Sequence, residues 1–465
     1  MRKIPPALQS AGAKLFAPVD LASLVVFRVA FGLLMTWEAV RHLASGWVER
    51  DYVRPPFHFT YFGFDWVRPA SAGGMTALFV ALAVLGACVA AGAFYRVAAA
   101  LLFVAISWIF LIDAAYYLNH IYLVCLLAFL LPWMPLNRAF SVDAALRPRL
   151  RADSVSGWPL HLLRLFLCQV YLFAGLAKLN PDWLRAQPLV DFLESRRSVP
   201  VVGAVLAHDA TGWAMSYGGL AFDLAVGPLL LSRRTRPFAL VGATGFHLLN
   251  AALFDIGIFP WLMLAATTLF CDPSWPRKLV SIPSARGRTA PLPGPRLRAV
   301  IVAAMAAWFT VHTALPLRHW LYPGDVAWNE EGHQFSWRMK LRDKEGRARF
   351  RLHDPDTGER WIVHPETRLP KRSDKMMRTR PDLLLQFAHH LAAEARAQGH
   401  ARVAVYADVE VRLNGRPARR LVDPTVDLAA ERRTLGSASW ILPLTEPLPG
   451  WGADDQPDGS ASRSR

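Results

Sequence analysis

Apolar residues in this chain come in long blocks, and the blocks decide what it can fold into. Between residues 21 and 316, nine stretches read as membrane spans: about 21–40, 74–94, 97–113, 117–135, 161–177, 212–231, 237–253, 257–271 and 298–316. A helix needs roughly 20 apolar residues to cross the hydrocarbon layer. In lipid the backbone must satisfy its own hydrogen bonds, which leaves a helical bundle as the architecture for such segments. From residue 317 onward the sequence reads as ordinary soluble protein. The expected fold is therefore mainly α: a polytopic membrane helical bundle of about nine spans with a C-terminal soluble α+β domain. The expected divisions are an N-terminal cytoplasmic segment (1–20), a membrane domain (21–316), an extracytoplasmic α+β domain (317–450) and a disordered tail (451–465) rich in Asp, Gly, Ser and Arg.

The first apolar segment carries Arg28 and Glu38 and lacks a small-residue cleavage site, so it reads as an uncleaved helix. The net charge of +16 collects in loops, which gives it a membrane role and makes nucleic acid an unneeded partner. Three loops are Arg-rich: Arg138, Arg147, Arg149 and Arg151; Arg233, Arg234 and Arg236; Arg277, Lys278, Arg286 and Arg288. With nine spans and the N-terminus inside, all three are cytoplasmic and the C-terminal domain is outside. The loop at 178–211 opposes this weakly, since its Arg185, Arg196 and Arg197 are mixed with Asp182, Asp191, Glu194 and Asp209. Four cysteines with no Cys-x-x-Cys spacing point away from a metal or disulfide framework, and no metal is expected.

The soluble part has a β-β-α-β-β pattern. "HQFSWRMKL" and "ARFRLHD" alternate around "RDKEGR", and "GERWIVHP" follows a "DPDTG" turn. "PDLLLQFAHHLAAEARAQG" has helical spacing and ends at Gly399. "RVAVYADVEVRL" and "RPARRLV" flank Asn414–Gly415, a strong hairpin signal.

The assumed orientation assigns a depth to every ionisable residue of the spans. Asp113 ends the third segment, His120 begins the fourth, and Lys178 ends the fifth in "YLFAGLAKLNPDWL". His247 lies two thirds of the way outward along the seventh, Asp255 follows in the outer turn, and His319 follows the ninth. All six fall near the outer surface. Ionisable groups at membrane depth are costly and face a cavity or a partner. Each also has a plainer reading. Lys178 can snorkel as an anchor. His120 can start a helix capped by Asn119. His247 can bond across helices. Asp113 can neutralise or orient Lys178 or His120. Arg28 and Asp223 read as structural pairing groups, and His161, Arg164 and His312 as interfacial.

At these residues the sequence resembles the vitamin K-dependent γ-glutamyl carboxylases and their bacterial relatives of the HTTM family. The similar stretches run in order: "FAPVDLASLVVFRVAFG", "FLIDAAYYLNHIYL", "YLFAGLAKLNPDWL", "FHLLNAALFDIGIFPWLMLA", "LFCDPSWPRKLV", "LPLRHWL", "FSWRMK", "DPTVDL" and "SWILPL". The resemblance implies that Lys178 is the active-site lysine, that Asn119 and His120 are the family's Asn-His pair, and that His247 and His319 are two further functional histidines. It also implies the co-substrates: vitamin K hydroquinone or menaquinol, O2 and CO2, with a glutamyl peptide as acceptor. The implied chemistry draws its base strength from oxidation of the prenylated quinol, begun by a neutral amine. Asp113 and Asp255 join His247 and His319 as candidate substrate- or quinone-binding groups. The animal enzymes continue past "SWILPL" and carry paired cysteines without counterparts here, so the expectation does not extend to propeptide-guided, processive carboxylation. Two alternatives stay open: a membrane quinol oxidoreductase or epoxidase that carboxylates no peptide, and a non-enzymatic membrane assembly protein. The expected location is the cell (inner) membrane.

Overall fold

The computed structural model of the protein describes residues 12–198, 203–280 and 287–448. The expected disordered tail (451–465), Arg286, and residues 1–11 of the expected cytoplasmic segment lie outside the described residues. The chain forms two compact units. One comprises residues 1–172 and 223–314, the other residues 173–222 and 315–465. The stretch 173–222, which the sequence reading grouped with the membrane part, clusters with the C-terminal residues.

The first unit is built from helices α1 (Ala22–Ala44), α2 (Ala72–Ala91), α3 (Tyr95–Ile112), α4 (Asn119–Leu130), α5 (Trp158–Lys178), α6 (Asp209–Leu231), α7 (Arg236–Leu253), α8 (Phe259–Thr267) and α9 (Pro295–Leu317). Helices α5, α6 and α9 also contribute residues to the second unit. Each of the nine expected segments corresponds to one of these helices. Six of them, α1, α2, α3, α5, α6 and α9, are long and apolar enough to cross a membrane, α9 together with the turn that extends it to Leu321. Helices α4 and α8 are shorter even with their 3-10 extensions to Trp133 and Phe270. Helix α7 is continuous but is not among these six, and polar Thr244, His247 and Asn250 break its apolar sequence.

Helices α1 and α2 touch backbone to backbone. A Cβ built on Gly32 would lie 2.4 Å from the Ala90 nitrogen, and one on Gly86 would lie 2.8 Å from the Thr36 nitrogen. Small residues at a crossing allow this approach, as is usual where lipid removes the hydrophobic drive for helix pairing. Arg28 of α1 is fully buried, but its partners are not carboxylates. It donates to the carbonyls of Leu136 (2.8 Å), Ala90 (3.1 Å), Ala139 (3.4 Å) and Phe140 (2.5 Å). The expected structural pairing thus runs through main-chain oxygens, Ala90 of α2 among them, which a five-donor guanidinium can satisfy together. His312 is buried among Trp308, Phe166 and Tyr122.

One end of this unit is stitched by strands β1 (Pro18–Asp20) and β2 (Ser154–Ser156), which pair antiparallel, and by a bridge from Ser154 to Thr289. Arg277 reaches Asp20 at 2.8 Å and Asp153 at 3.3 Å. The N-terminal segment and two of the three Arg-rich loops therefore occupy the same end.

The second unit holds a four-stranded antiparallel sheet of β3 (Lys344–His353), β4 (Arg360–Val363), β5 (Ala404–Leu413) and β6 (Arg419–Arg420), in the order β4-β3-β5-β6. Helices α10 (Lys371–Met377) and α11 (Pro381–Ala397) connect β4 to β5. Alternate residues of β5 (Val405, Ala407, Val409, Val411) are buried, as are Leu384, Phe387, Ala388 and Leu391 of α11. Phe350 of β3 meets Phe387 edge-on at 5.2 Å. Asn414 and Gly415 both have positive φ (49° and 77°), the turn expected for an Asn-Gly hairpin.

The expected first strand is not formed. "HQFSWRMKL" runs as turns and irregular backbone, and "RDKEGR" is not a turn, because β3 begins at Lys344. Phe335, Trp337 and Lys340 all have positive φ, and the consecutive residues Ser336, Trp337 and Arg338 are all buried. A strand cannot bury three neighbours on one face, so its apparent alternation carried no strand register. The expected strand "RPARRLV" shrinks to Arg419–Arg420, since Arg416 turns to another partner.

Candidate active site

The seven candidate residues divide between the units. Asp113, Asn119, His120, His247 and Asp255 belong to the first; Lys178 and His319 belong to the second.

Within the first unit, α7 supplies His247, which is 1% exposed. Its Nε2 is 2.7 Å from the hydroxyl of Tyr171 on α5, and its Nδ1 is buried with no hydrogen-bond partner among the described residues. Phe259, the first residue of α8, packs against both His247 and His120, with ring centroids 5.9 and 6.0 Å apart. The structure thus brings His120 and His247 to the same aromatic ring. Asn119 is not the cap of α4. Leu118 holds that place without a side-chain bond, and Asn119 is the first helical residue, its Oδ1 accepting from the Tyr117 hydroxyl at 2.8 Å. Leu118 has extended backbone, so the helix starts one residue earlier than an Asn119 cap requires.

Asp113 closes α3 and is 3% exposed. Its carboxylate accepts from the backbone N–H of Ala115 at 2.8 Å and sits 3.2 Å from Nδ1 of His58. The expected partners were Lys178 or His120; the partner found is a histidine 55 positions earlier. Asp255 lies exposed in the turn between α7 and α8.

In the second unit, Lys178 ends α5 with a relative exposure of 7%. Its amine turns back toward the Ala174 carbonyl at 3.4 Å and lies 5.2 Å from the Trp183 ring centroid. The Asn-Pro-Asp-Trp turn that follows is locked onto α6. Trp183 Nε1 donates to the Ser216 carbonyl at 2.9 Å, and Ser216 Oγ donates to the Trp183 carbonyl at 2.6 Å. Asp182 is buried against Arg416 and Asn414. His319 accepts its fixed orientation from its own turn, Nδ1 donating to the Pro316 carbonyl at 2.7 Å. Gly332 packs directly on it; a Cβ there would lie 2.7 Å from the His319 Cα.

A basic group surrounds Glu330 nearby in the sequence. Arg342 reaches it at 2.9 Å and Lys344 at 3.2 Å, and Arg342 also bonds His333. Burial pushes the Lys344 amine down to about 8, with Glu330 partly opposing. The same burial, reinforced by the surrounding guanidinium groups, keeps His333 neutral far below the ordinary imidazole range.

Sequence reasoning missed Tyr171, His58, Phe259 and the pair Asp182–Arg416. Tyr171 had a signal: it lies seven residues before Lys178, two helical turns along the same face. His58 had only its place in the aromatic run "FHFTYFGFDW".

Residues 16–275, more than half of the chain, match the HTTM domain. Residues 297–447 match the lumenal domain of vitamin K-dependent gamma-carboxylase. No solved structure matches the chain. The two matches follow one another through both the helical part and the α+β part, and on them the chain belongs to the HTTM-domain family as a multi-pass membrane homologue of the vitamin K-dependent gamma-carboxylases.

Proposed function

We propose that the protein is a γ-glutamyl carboxylase-like enzyme that couples oxidation of a vitamin K-type hydroquinone to carboxylation of glutamyl residues. In the balanced reaction a γ-C–H bond breaks and a C–C bond to CO2 forms. The hydroquinone leaves as its epoxide with one oxygen of O2, and the other oxygen leaves as water. The observation that carries this reading is Lys178. A snorkelling lysine extends its amine to water, whereas this amine is buried and folded back on its own helix.

The hydroquinone supplies, through its oxidation, a base stronger than any side chain. The residues fit such a substrate. His247 has a buried Nδ1 without a hydrogen-bond partner among the described residues, and the Phe259 ring packs against both imidazoles. Lys178 takes the hydroxyl proton on its amine nitrogen. Asn119 and His120 hydrogen-bond a ring oxygen as charge develops on it. His247 and His319 hold the second ring oxygen or the glutamate carboxylate. Asp255, on its exposed turn, belongs to the peptide side. A site poor in water protects the carbanion from reprotonation.

The same proposal includes nine spans, a cytoplasmic N-terminus, and residues 317–450 outside, which in a bacterial cell is the periplasmic face of the inner membrane. The clustering of the N-terminal segment with two Arg-rich loops supports it. The deciding experiment is purified protein in lipid nanodiscs with vitamin K hydroquinone, a glutamyl peptide and labelled bicarbonate. Epoxide together with labelled peptide is the expected result. Epoxide without label establishes a quinol epoxidase instead, and neither product removes the enzymatic reading.

A further inference from the structure

The loop between α1 and α2 brings a histidine to Asp113 that no motif singled out. His58 is 7% exposed, and its Nδ1 lies 3.2 Å from Asp113 Oδ2. Backbone bonds fix both residues. The Ala114 N–H donates to the Phe59 carbonyl at 2.6 Å, and the Ala115 N–H donates to Asp113 Oδ1 at 2.8 Å. A carboxylate only accepts, so the shared proton sits on Nδ1, which in the singly protonated ring leaves the lone pair on Nε2. That Nε2 is buried and has no hydrogen-bond partner among the described residues. An acceptor buried without a donor is costly and calls for a ligand that brings one. The neighbourhood is aromatic. Phe57 and Phe59 meet edge-on at 4.9 Å, Tyr61 stacks on Phe110 at 5.1 Å, and Phe110 faces Tyr117 at 5.9 Å.

We infer that the His58–Asp113 pair is a hydroxyl-recognition site, in which Nε2 of His58 accepts a hydrogen bond from the phenolic O–H of an aromatic hydroquinone. The inference rests on the quinol reading above and adds a selectivity to it. A hydroquinone donates to Nε2. Its oxidised forms, quinone or epoxide, present only carbonyl and ether oxygens, whose lone pairs face the nitrogen's own. The pair therefore favours the reduced substrate and favours release of the oxidised product. Asp113 acts as a positioning residue, since it fixes which nitrogen keeps the proton.

That role has a distinctive consequence. In Asp113→Asn the Ala115 N–H retains the side-chain carbonyl at the Oδ1 position, which leaves the amide NH2 facing His58 Nδ1. The imidazole proton then moves to Nε2, and the acceptor becomes a donor, the same logic by which an Asp-to-Asn change gives a catalytic triad the wrong tautomer.

The test is equilibrium binding to full-length protein in nanodiscs. The probes are 2-methyl-1,4-naphthohydroquinone, kept reduced, and 2-methyl-1,4-naphthoquinone. Wild type should prefer the hydroquinone. His58→Phe should weaken hydroquinone binding about tenfold and leave quinone binding unchanged, and Asp113→Asn should reverse the preference. Nitrogen NMR of labelled histidine should show the His58 tautomer exchanging in Asp113→Asn. Should His58→Phe fail to fold, His58→Gln and Asp113→Asn carry the same comparison. If wild type prefers the hydroquinone and Asp113→Asn retains that preference with the tautomer unchanged, the pair is structural and this inference is overturned while the quinol reading stands. If wild type binds neither probe, the quinol reading falls and takes this inference with it.

Discussion

Arg416 and Asp182 meet through two parallel hydrogen bonds, Nη1 to Oδ2 at 2.6 Å and Nη2 to Oδ1 at 2.7 Å, with both side chains 7% exposed. Asn414 adds a third bond to the same carboxylate at 2.6 Å. The turn after Lys178 is thereby tied to the hairpin turn between β5 and β6. Removing one partner of a buried pair strands the other charge, which costs about 3–5 kcal/mol. Arg416→Ala should lower stability by that order, and Asp182→Ala, Arg416→Ala together should cost less than the sum of the single changes. Thermal unfolding of the purified protein measures both. A change within about 0.5 kcal/mol for Arg416→Ala, the scale of an ordinary surface substitution, would show the pair to be inert.

Lys178 separates a base from an anchor. An anchor needs only a cation on a long stem, so arginine replaces it without loss. A base must lose its proton, which arginine does not do in proteins. Lys178→Arg is therefore expected to be as inactive in epoxide formation as Lys178→Ala, with thermal stability near wild type. A small added amine should partly restore Lys178→Ala and leave His247→Ala unchanged. Substantial epoxidation by Lys178→Arg sinks the base assignment.

Gly332 has φ of +77° and leaves no room for a side chain against His319. Gly332→Ala adds left-handed strain of about 1–3 kcal/mol and pushes on the His319 backbone. The expected outcome is a destabilised protein in which peptide KM rises more than the loss of fold accounts for. An unchanged melting midpoint with unchanged KM contradicts the packing described here.

Lys344 predicts a pH dependence. Its amine titrates at about 8 in the folded chain against 10.5 ordinarily, because burial disfavours the charge. Between those values the unfolded chain holds a proton that the folded chain has lost. The unfolded state binds more protons there, so stability from this group rises with pH from about 8 toward 10.5. Lys344→Met fills similar space without titrating. The difference in thermal midpoint between wild type and Lys344→Met should shift in favour of wild type across that window; a constant difference rules the depressed amine out.

The sidedness proposal predicts that a reporter active only in the cytoplasm stays silent when fused after residue 448. A cytoplasmic signal would invert the topology, and with it the placement of His319 near the outer surface.

What the sequence settled by itself is what local sums can settle. Hydropathy accumulates over a span of neighbours, so all nine helices were legible, although α4, α7 and α8 fall short of full spans. Asn414–Gly415 needs positive φ at two adjacent residues, which is again a local demand. The candidate Lys178 stood out because a lysine at the end of an apolar run is a local anomaly. Tertiary structure alone decided the partners. His58 finds Asp113 across 55 positions, Tyr171 finds His247 across 76, and Arg416 finds Asp182 across 234. It also decided against a strand at 333–341, where alternation was present but the chain coils to bury neighbouring side chains. A hydrogen bond between distant residues depends on where the packing of whole helices and sheets delivers two atoms. No window of sequence contains that information, because the free energy that fixes it belongs to the assembled interior.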